Sequence, residues 1–212
     1  MRIGNVDVSV TDSFVRWTSG MKIDCDGSPH AYSPPGSGLP ALDYLPNAGH
    51  DGNWYGLVTD SGLSDGKPII QGPNDPAPGY YVSQTALLDH TRPLHDPRCY
   101  VDSETVPYIS IPPELIHQGV HTGDVCMVTY KDLQSAAVIG DVGPRNAIGE
   151  GSIALARVLG MRSNAKKDIN GQYGGVDSGV SFTIYKHSRT RWPRDWVDID
   201  AQARQLLGIL GQ

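Results

Sequence analysis

The sequence is short of phenylalanine, cysteine and long apolar runs, and the last two shortages exclude whole classes of site and protein. Its apolar stretches fall well below the ~20 residues of a membrane-spanning helix, and its first residues lack the uninterrupted apolar segment of a signal peptide. The three cysteines cannot all pair within one chain, and none has the spacing of a zinc ligand set. We therefore expect no membrane span, no structural metal and no cofactor.

Basic residues are also in deficit. The chain has 17 Lys and Arg against 23 Asp and Glu, which gives a formal net charge of −6. Nucleic-acid binding requires clustered cations that face phosphate, whereas the one dense basic stretch, residues 186–194, is short and follows a predicted strand. A cationic partner fits this charge better. We expect no nucleic-acid partner and no membrane partner, and a monomer in solution.

Glycine and proline are abundant, and they predict a chain built from short elements. There are 25 glycines and 16 prolines among 212 residues, well above ordinary usage. Short apolar segments indicate many strands, two of them at residues 55–59 and 67–71, and helices are expected at 152–161 and 198–210. We expect one domain over residues 1–212, mainly β with short helices, as a β-barrel or a mixed α+β domain.

The most informative segment is residues 136–156, with the sequence AAVIGDVGPRNAIGEGSIALA. A predicted strand ends at Gly140 and Asp141 follows it directly, while Glu150 stands nine positions later between two glycines, ahead of a predicted helix. Glycines there allow a sugar or another chain to approach the backbone. Two acids on one loop suit glycoside hydrolysis, in which one protonates the leaving oxygen and the other activates water or attacks the sugar. Alternatively, Asp141 starts a turn and Glu150 caps the helix.

Three other patterns resemble catalytic or metal-binding motifs but are incomplete. The GLSDG pattern around Ser64 is that of a serine hydrolase nucleophile, but no helix is expected to follow it as that mechanism requires. Asp24 and Asp26 begin like a calcium loop without its remaining oxygen ligands, and an Asx turn accounts for them. His117 and His121 have a helical metal-ligand spacing without a completing carboxylate or cysteine. We expect no metal site.

The chain resembles the glycoside hydrolase family 75 chitosanases. The resemblance covers most of residues 20–190, and it runs through IDCDG at 23–27, GYYV at 79–82, VPY at 106–108, the segment from Gly140-Asp141 to Gly149-Glu150-Gly151-Ser152, and ALA at 154–156. The strand, loop and helix around Asp141 also look like the core of double-psi β-barrel enzymes. This likeness implies a mainly β fold with short helices, a double-psi-like six-stranded β-barrel with long loops and a C-terminal helix.

The resemblance implies an endo-acting, inverting hydrolase of β-1,4-linked glucosamine polymer, with Asp141 and Glu150 as the catalytic acids and the polysaccharide as partner. Because glucosamine units carry ammonium groups, an acidic groove would attract the polymer. The expected lining carboxylates and sugar-stacking aromatics are Asp24, Asp26, Asp60, Trp54, Tyr55, Tyr80 and Tyr81, although core packing is an alternative for each aromatic ring. An extracellular location is expected, with a leader removed or export by another route.

The assignment of roles and the substrate both have open alternatives at this point. A helix N-terminus near Glu150 would favour its ionised form and hence a base role, whereas inverting chitosanases of other families commonly use Glu as the donor. Because double-psi enzymes include lytic transglycosylases, peptidoglycan cleavage by a phage or antibacterial effector protein is the first rival function. The second is a non-catalytic carbohydrate-binding module that uses the same aromatics.

Overall fold

The chain consists mainly of short strands joined by long loops. In the computed structural model, which describes residues 1–210, eleven strands and three α-helices form. The strands are β1 (Arg2–Ile3), β2 (Val6–Asp7), β3 (Ser9–Val10), β4 (Phe14–Asp24), β5 (Gly49–His50), β6 (Asn53–Trp54), β7 (Tyr108–Ile111), β8 (Val125–Tyr130), β9 (Leu133–Val142), β10 (Glu150–Ser152) and β11 (Val176–Tyr185). The helices are α1 (Pro113–Ile116), α2 (Ile153–Val158) and α3 (Trp196–Leu210), with 3₁₀ turns at Leu45–Ala48 and Pro97–Cys99.

Six of these strands close into a mixed β-barrel. Their order around the wall is β10, β7, β9, β8, β11 and β4, and β10 pairs with β4 to complete the ring. The β7–β9 and β10–β4 pairs are parallel, and the other four pairs are antiparallel. The expectation of a mainly β fold with a six-stranded barrel and a C-terminal helix is confirmed.

Alternating side chains explain why these segments form the barrel wall. Ile109 of β7 points into the barrel core together with Trp17 and Phe182, whose rings stack with centroids 4.7 Å apart. Met127 of β8 faces the other way and belongs to a second apolar cluster with Ile199 of α3. Because side chains alternate along a strand, one set fills the barrel and the other holds the C-terminal helix against its outer face.

The long segment between β4 and β7 lies over another part of the outer face. It has a small hydrophobic core of its own, which includes one residue of α2: Cys25, Ala31, Tyr32, Ala48, Trp54, Leu57 and Ile153. The regular strands expected at residues 55–59 and 67–71 do not form, and only isolated bridges such as Thr59 with Pro68 remain. Proline cannot donate to a strand ladder, and the surrounding glycines favour turns instead.

The helices and cysteines agree only in part with the sequence patterns. α2 lies inside the expected range 152–161 but ends at Val158, and α3 begins at Trp196, two residues before the expected start. The three cysteines, Cys25, Cys99 and Cys126, are buried and free. No helix within residues 1–210 has the length and apolar character needed to cross a membrane.

Candidate active site

Strand register brings Asp141 and Glu150 to one face of the barrel wall. Asp141 of β9 pairs with Ser110 of β7, and Glu150 of β10 pairs with the same serine from the other side. Paired residues of adjacent strands project to the same face, here the outer one, because Ile109 and Ile111 on either side of Ser110 belong to the core. Neighbouring strands lie ~4.8 Å apart, so the two acids have their Cα atoms roughly 10 Å apart.

A bulge in β9 fixes the position of Asp141. The register with β7 skips Gly140, where an added Cβ would lie 2.6 Å from the Tyr108 ring. The Asp141 Oδ1 atom accepts a 2.8 Å hydrogen bond from the Ala86 backbone N–H. Burial and the charge of Glu150 together raise the pKa of Asp141 to about 6, although backbone hydrogen bonds to its carboxyl act to lower it. This carboxyl therefore holds a proton in weakly acidic solution.

Glu150 begins β10, which is held between β4 and β7. The preceding Gly149 has a φ of 95°, and a Cβ there would collide with the backbone of Gly20, so the strand entry requires glycine. Burial raises the pKa of Glu150 above its ordinary value; the nearby Lys22 ammonium lowers it, and the charge of Asp43 raises it. Of the two acids, Glu150 is therefore the one with a cation beside it.

The alternative structural roles of the two acids do not hold. Ser152 is the residue that caps α2, because its hydroxyl accepts a 3.1 Å hydrogen bond from the Leu155 N–H. Asp141 lies inside β9, which continues to Val142, and does not start a turn. Neither carboxyl serves as a helix cap or a turn residue.

Asp24 and Asp26 join these two acids in a group of four carboxyls, called here the acid cluster. Asp24 ends β4 and its Oδ1 accepts a 2.9 Å hydrogen bond from the Asp26 N–H, while the Tyr32 hydroxyl donates to Asp26 Oδ1 at 2.8 Å. Burial raises the pKa of both carboxyls well above the usual range. The charges of Asp141 and Glu150 raise the pKa of Asp24 further. Each of the four residues keeps part of its surface exposed.

Two of the expected aromatic residues offer surface to a ligand. Tyr55 is 60% exposed, and its hydroxyl donates to the Pro46 carbonyl oxygen at 3.3 Å. Tyr81 is partly exposed, and its N–H donates to the carbonyl oxygen of Tyr32, the residue that holds Asp26. The Tyr55 and Tyr81 rings therefore remain predicted to stack on sugar units.

Trp54, Tyr80 and Asp60 require correction. Trp54 and Tyr80 are each only 7% exposed. Trp54 belongs to the small core of the long segment, and Tyr80 packs edge-on against His30 with ring centroids 5.3 Å apart, so neither ring has a free face for a sugar. Asp60 is exposed, and its Oδ1 accepts a 2.9 Å hydrogen bond from the Lys67 N–H. Its carboxylate serves a turn and not the acid cluster.

The sequence patterns missed several residues of the site. Asp43 is 7% exposed, and its charge raises the pKa of Glu150. The Tyr108 hydroxyl donates to the backbone carbonyl oxygen of Asp26 at 2.9 Å, which ties β7 to the acid cluster. Alternation along β7 identifies Tyr108 and Ser110 as outward-facing, but no local pattern shows which residues they meet.

Two hollows adjoin the site, and each has a lysine in its lining. One of about 300 Å³ is lined by Glu150 and Lys22 among others. The other, of about 250 Å³, is lined by Asp43, Tyr44 and Lys166, and the Lys166 Nζ lies 5.3 Å from the centroid of the Tyr44 ring. The site therefore combines a concentration of carboxyls with single cations at its margins.

The remaining motifs do not form sites. Ser64 lies exposed in a turn that no helix follows, so it lacks the setting of a hydrolase nucleophile. The His121 ring lies 3.9 Å from Asp124 and its centroid is 6.2 Å from that of His187. Within residues 1–210, no group of three or more His, Cys, Asp or Glu side chains is arranged to hold a metal ion.

Comparison with known proteins assigns the chain to no family. No protein-family model matches it, and no curated protein sequence matches it. The residues that the barrel brings together are therefore the basis for proposing a function.

Proposed function

We propose that the protein is an endo-acting, inverting glycoside hydrolase that cleaves β-1,4-linked glucosamine polymer, with Asp141 and Glu150 as the catalytic acids. The observation that carries the proposal is their shared pairing with Ser110, two strand spacings apart on one face. Inverting glycosidases separate their carboxyl groups by roughly 6.5–9.5 Å to admit a water, whereas retaining enzymes need about 5 Å. The Cα atoms of Asp141 and Glu150 are roughly 10 Å apart by strand spacing, and we therefore assign the pair to the inverting class with its wider separation.

In this mechanism Asp141 is the proton donor and Glu150 is the base. Burial raises the pKa of Asp141 to about 6, which keeps it protonated in weakly acidic solution. The Lys22 ammonium favours the ionised form of Glu150. Asp141 then protonates the departing glycosidic oxygen, while Glu150 takes a proton from the water that attacks the anomeric carbon from the opposite face.

The acid cluster suits a polymer of cationic sugars. Burial raises the pKa of all four carboxyls, and neighbouring carboxyls raise those of Asp24, Asp26 and Asp141 further, so an ammonium group placed among them would favour their ionised forms. The net charge of −6 adds a longer-range attraction that salt would screen. Tyr55 and Tyr81 keep exposed aromatic surface and are the predicted sugar contacts. Because such polymers lie outside cells, an extracellular location is part of the proposal.

Single substitutions test the two roles. Asp141→Asn and Glu150→Gln should each lower the release of reducing ends from chitosan by at least about a hundredfold, because each removes a proton-transfer group. Circular dichroism should show that both variants remain folded. Asp132→Asn is the matched control, since Asp132 is exposed in the turn between β8 and β9, and it should retain wild-type activity.

The stereochemistry of the first product tests the inverting mechanism separately. Proton NMR of a fresh digest should show the α-anomer before mutarotation, because a single displacement inverts the β-linkage. A β-anomer formed first, or near-normal activity of either acid variant, would contradict the proposal.

Peptidoglycan cleavage is a second candidate, and the two lysines favour it. Lys22 and Lys166 line the hollows that are also lined by Glu150 and Asp43, respectively. A lysine side chain attracts the lactyl carboxylate of muramic acid, whereas it repels the ammonium group of glucosamine. Incubation with chitosan and with cell-wall sacculi separates the two substrates, and 1,6-anhydro ends would identify a transglycosylase. Retention of either polymer without release of new ends would indicate a carbohydrate-binding module.

A further inference from the structure

Ser110 lies between the two acids, and its hydroxyl is buried without a partner. The residue is 3% exposed and pairs with Asp141 on one side and with Glu150 on the other. Among the residues that the structure describes, none forms a hydrogen bond with Ser110 Oγ. An unpaired buried hydroxyl is costly, and alanine would avoid that cost. The position of Ser110 between two carboxyls therefore indicates a role at the site.

The space beside Gly143 connects Ser110 with Glu150. The φ of Gly143 lies outside the left-handed region, so backbone conformation does not require glycine there. A Cβ at this position would lie 3.0 Å from Ser110 Oγ and 3.3 Å from Glu150 Oε2. Both oxygens thus border one small space, in which a rotation of the serine side chain and a small movement of the carboxylate would join them.

We propose that Ser110 is a positioning residue whose hydroxyl donates a hydrogen bond to the ionised carboxylate of Glu150 and so holds it as the base. The catalytic consequence rests on the proposed function, whereas the hydrogen bond does not. The charged groups near Glu150 come from three parts of the chain: Lys22 and Asp24 of β4, Asp141 of β9, and Asp43 of the long segment. Burial and the charge of Asp43 favour protonation of Glu150, and a neutral hydrogen-bond donor opposes that tendency.

Titration of Glu150 in the Ser110→Ala variant tests the hydrogen bond without any activity measurement. The chain has three glutamates, Glu104, Glu114 and Glu150, so carbon-13 labelling of glutamate carboxyls yields three NMR signals. The Glu150→Gln variant identifies the signal of interest. Loss of the donor should raise the Glu150 midpoint by about one pH unit, a tenfold gain in proton affinity, with the other two midpoints unchanged. An unchanged Glu150 midpoint would overturn the proposal.

The pH profile tests the same interaction in the working enzyme. Ser110→Ala should lower kcat/KM about tenfold and move the acidic limb of its profile upward by about one pH unit, with no loss of thermal stability. Gly143→Ala fills the shared space from the other side and should move the limb in the same direction. A change in stability with an unmoved limb in both variants would show that Ser110 is only a structural residue.

The two measurements separate the failure of this inference from failure of the proposed function. A shifted Glu150 midpoint in a protein that cleaves neither polymer would refute the proposed function and support the Ser110 interaction. An active enzyme with unshifted midpoint and limb would refute the Ser110 interaction alone.

Discussion

Asp141→Asn should make the folded protein more stable at neutral pH while leaving its stability in acid unchanged. Burial raises the pKa of Asp141 from its ordinary 3.8 to about 6, so the folded chain binds this proton more tightly than the unfolded chain does. The contribution of such a carboxyl to the free energy of unfolding is complete below the pKa that it has in the unfolded chain. That contribution is lost as the pH rises from about 4 to about 6. A shift of this size corresponds to ~3 kcal/mol.

The substitution removes the charge with little change in shape. An asparagine side-chain oxygen can still accept the hydrogen bond that Ala86 donates to Asp141 at 2.8 Å. The wild-type protein must ionise a buried acid above about pH 6, whereas the variant has no group to ionise there. The variant should therefore gain up to ~3 kcal/mol in free energy of unfolding at neutral pH relative to wild type, and nothing below about pH 4.

Urea unfolding followed by fluorescence, at about pH 3.5 and about pH 7.5, measures this difference. Asp132→Asn is again the control, because Asp132 is exposed and should show no difference that depends on pH. If Asp141→Asn is destabilised by the same amount at both pH values, the carboxylate stabilises the fold through hydrogen bonds and its burial carries no electrostatic cost. That result would also remove the reason for making Asp141 the proton donor.

Two further predictions concern the bulge and the charge of the site. Gly140→Ala should lower stability by about 1–3 kcal/mol in calorimetry, because its Cβ would lie 2.6 Å from the Tyr108 ring; unaltered melting would mean that the bulge adapts. The KM for chitosan should rise when ionic strength is increased from about 0.01 to about 0.15 M, since the Debye length falls from ~30 to ~8 Å. A KM that does not depend on salt would argue against recognition of ammonium groups by the acid cluster.

Local patterns predicted the elements whose side chains follow a clear period. The buried part of β9 and the apolar face of α2 were both predicted from residues 136–161, although β9 continues through Asp141 to Val142, beyond its predicted end at Gly140. Regular strands at residues 55–59 and 67–71 were predicted wrongly, because short apolar runs among glycines and prolines do not reveal whether a partner strand exists.

Burial of the aromatic residues in the long segment was equally beyond the reach of local patterns. Trp54 and Tyr55 are neighbours in sequence, yet one is 7% exposed and the other 60%. The difference arises because the Trp54 ring joins the core formed with Ala48 and Ile153 of α2, about a hundred residues further along the chain. A tryptophan or tyrosine in a loop suits a core and a sugar equally well, so composition alone does not separate the two.

The sequence by itself determined the mainly β character of the chain and its closing helix, and it placed Asp141 near the end of a strand and Glu150 shortly before a helix. These features depend on the period of apolar residues and on nearby glycines, which act over a few positions. Only the tertiary structure decided that Ser110 lies between the two acids and that the charge of Asp43 acts on Glu150. Both depend on strand register and loop packing, which join residues far apart in the chain and leave no local pattern.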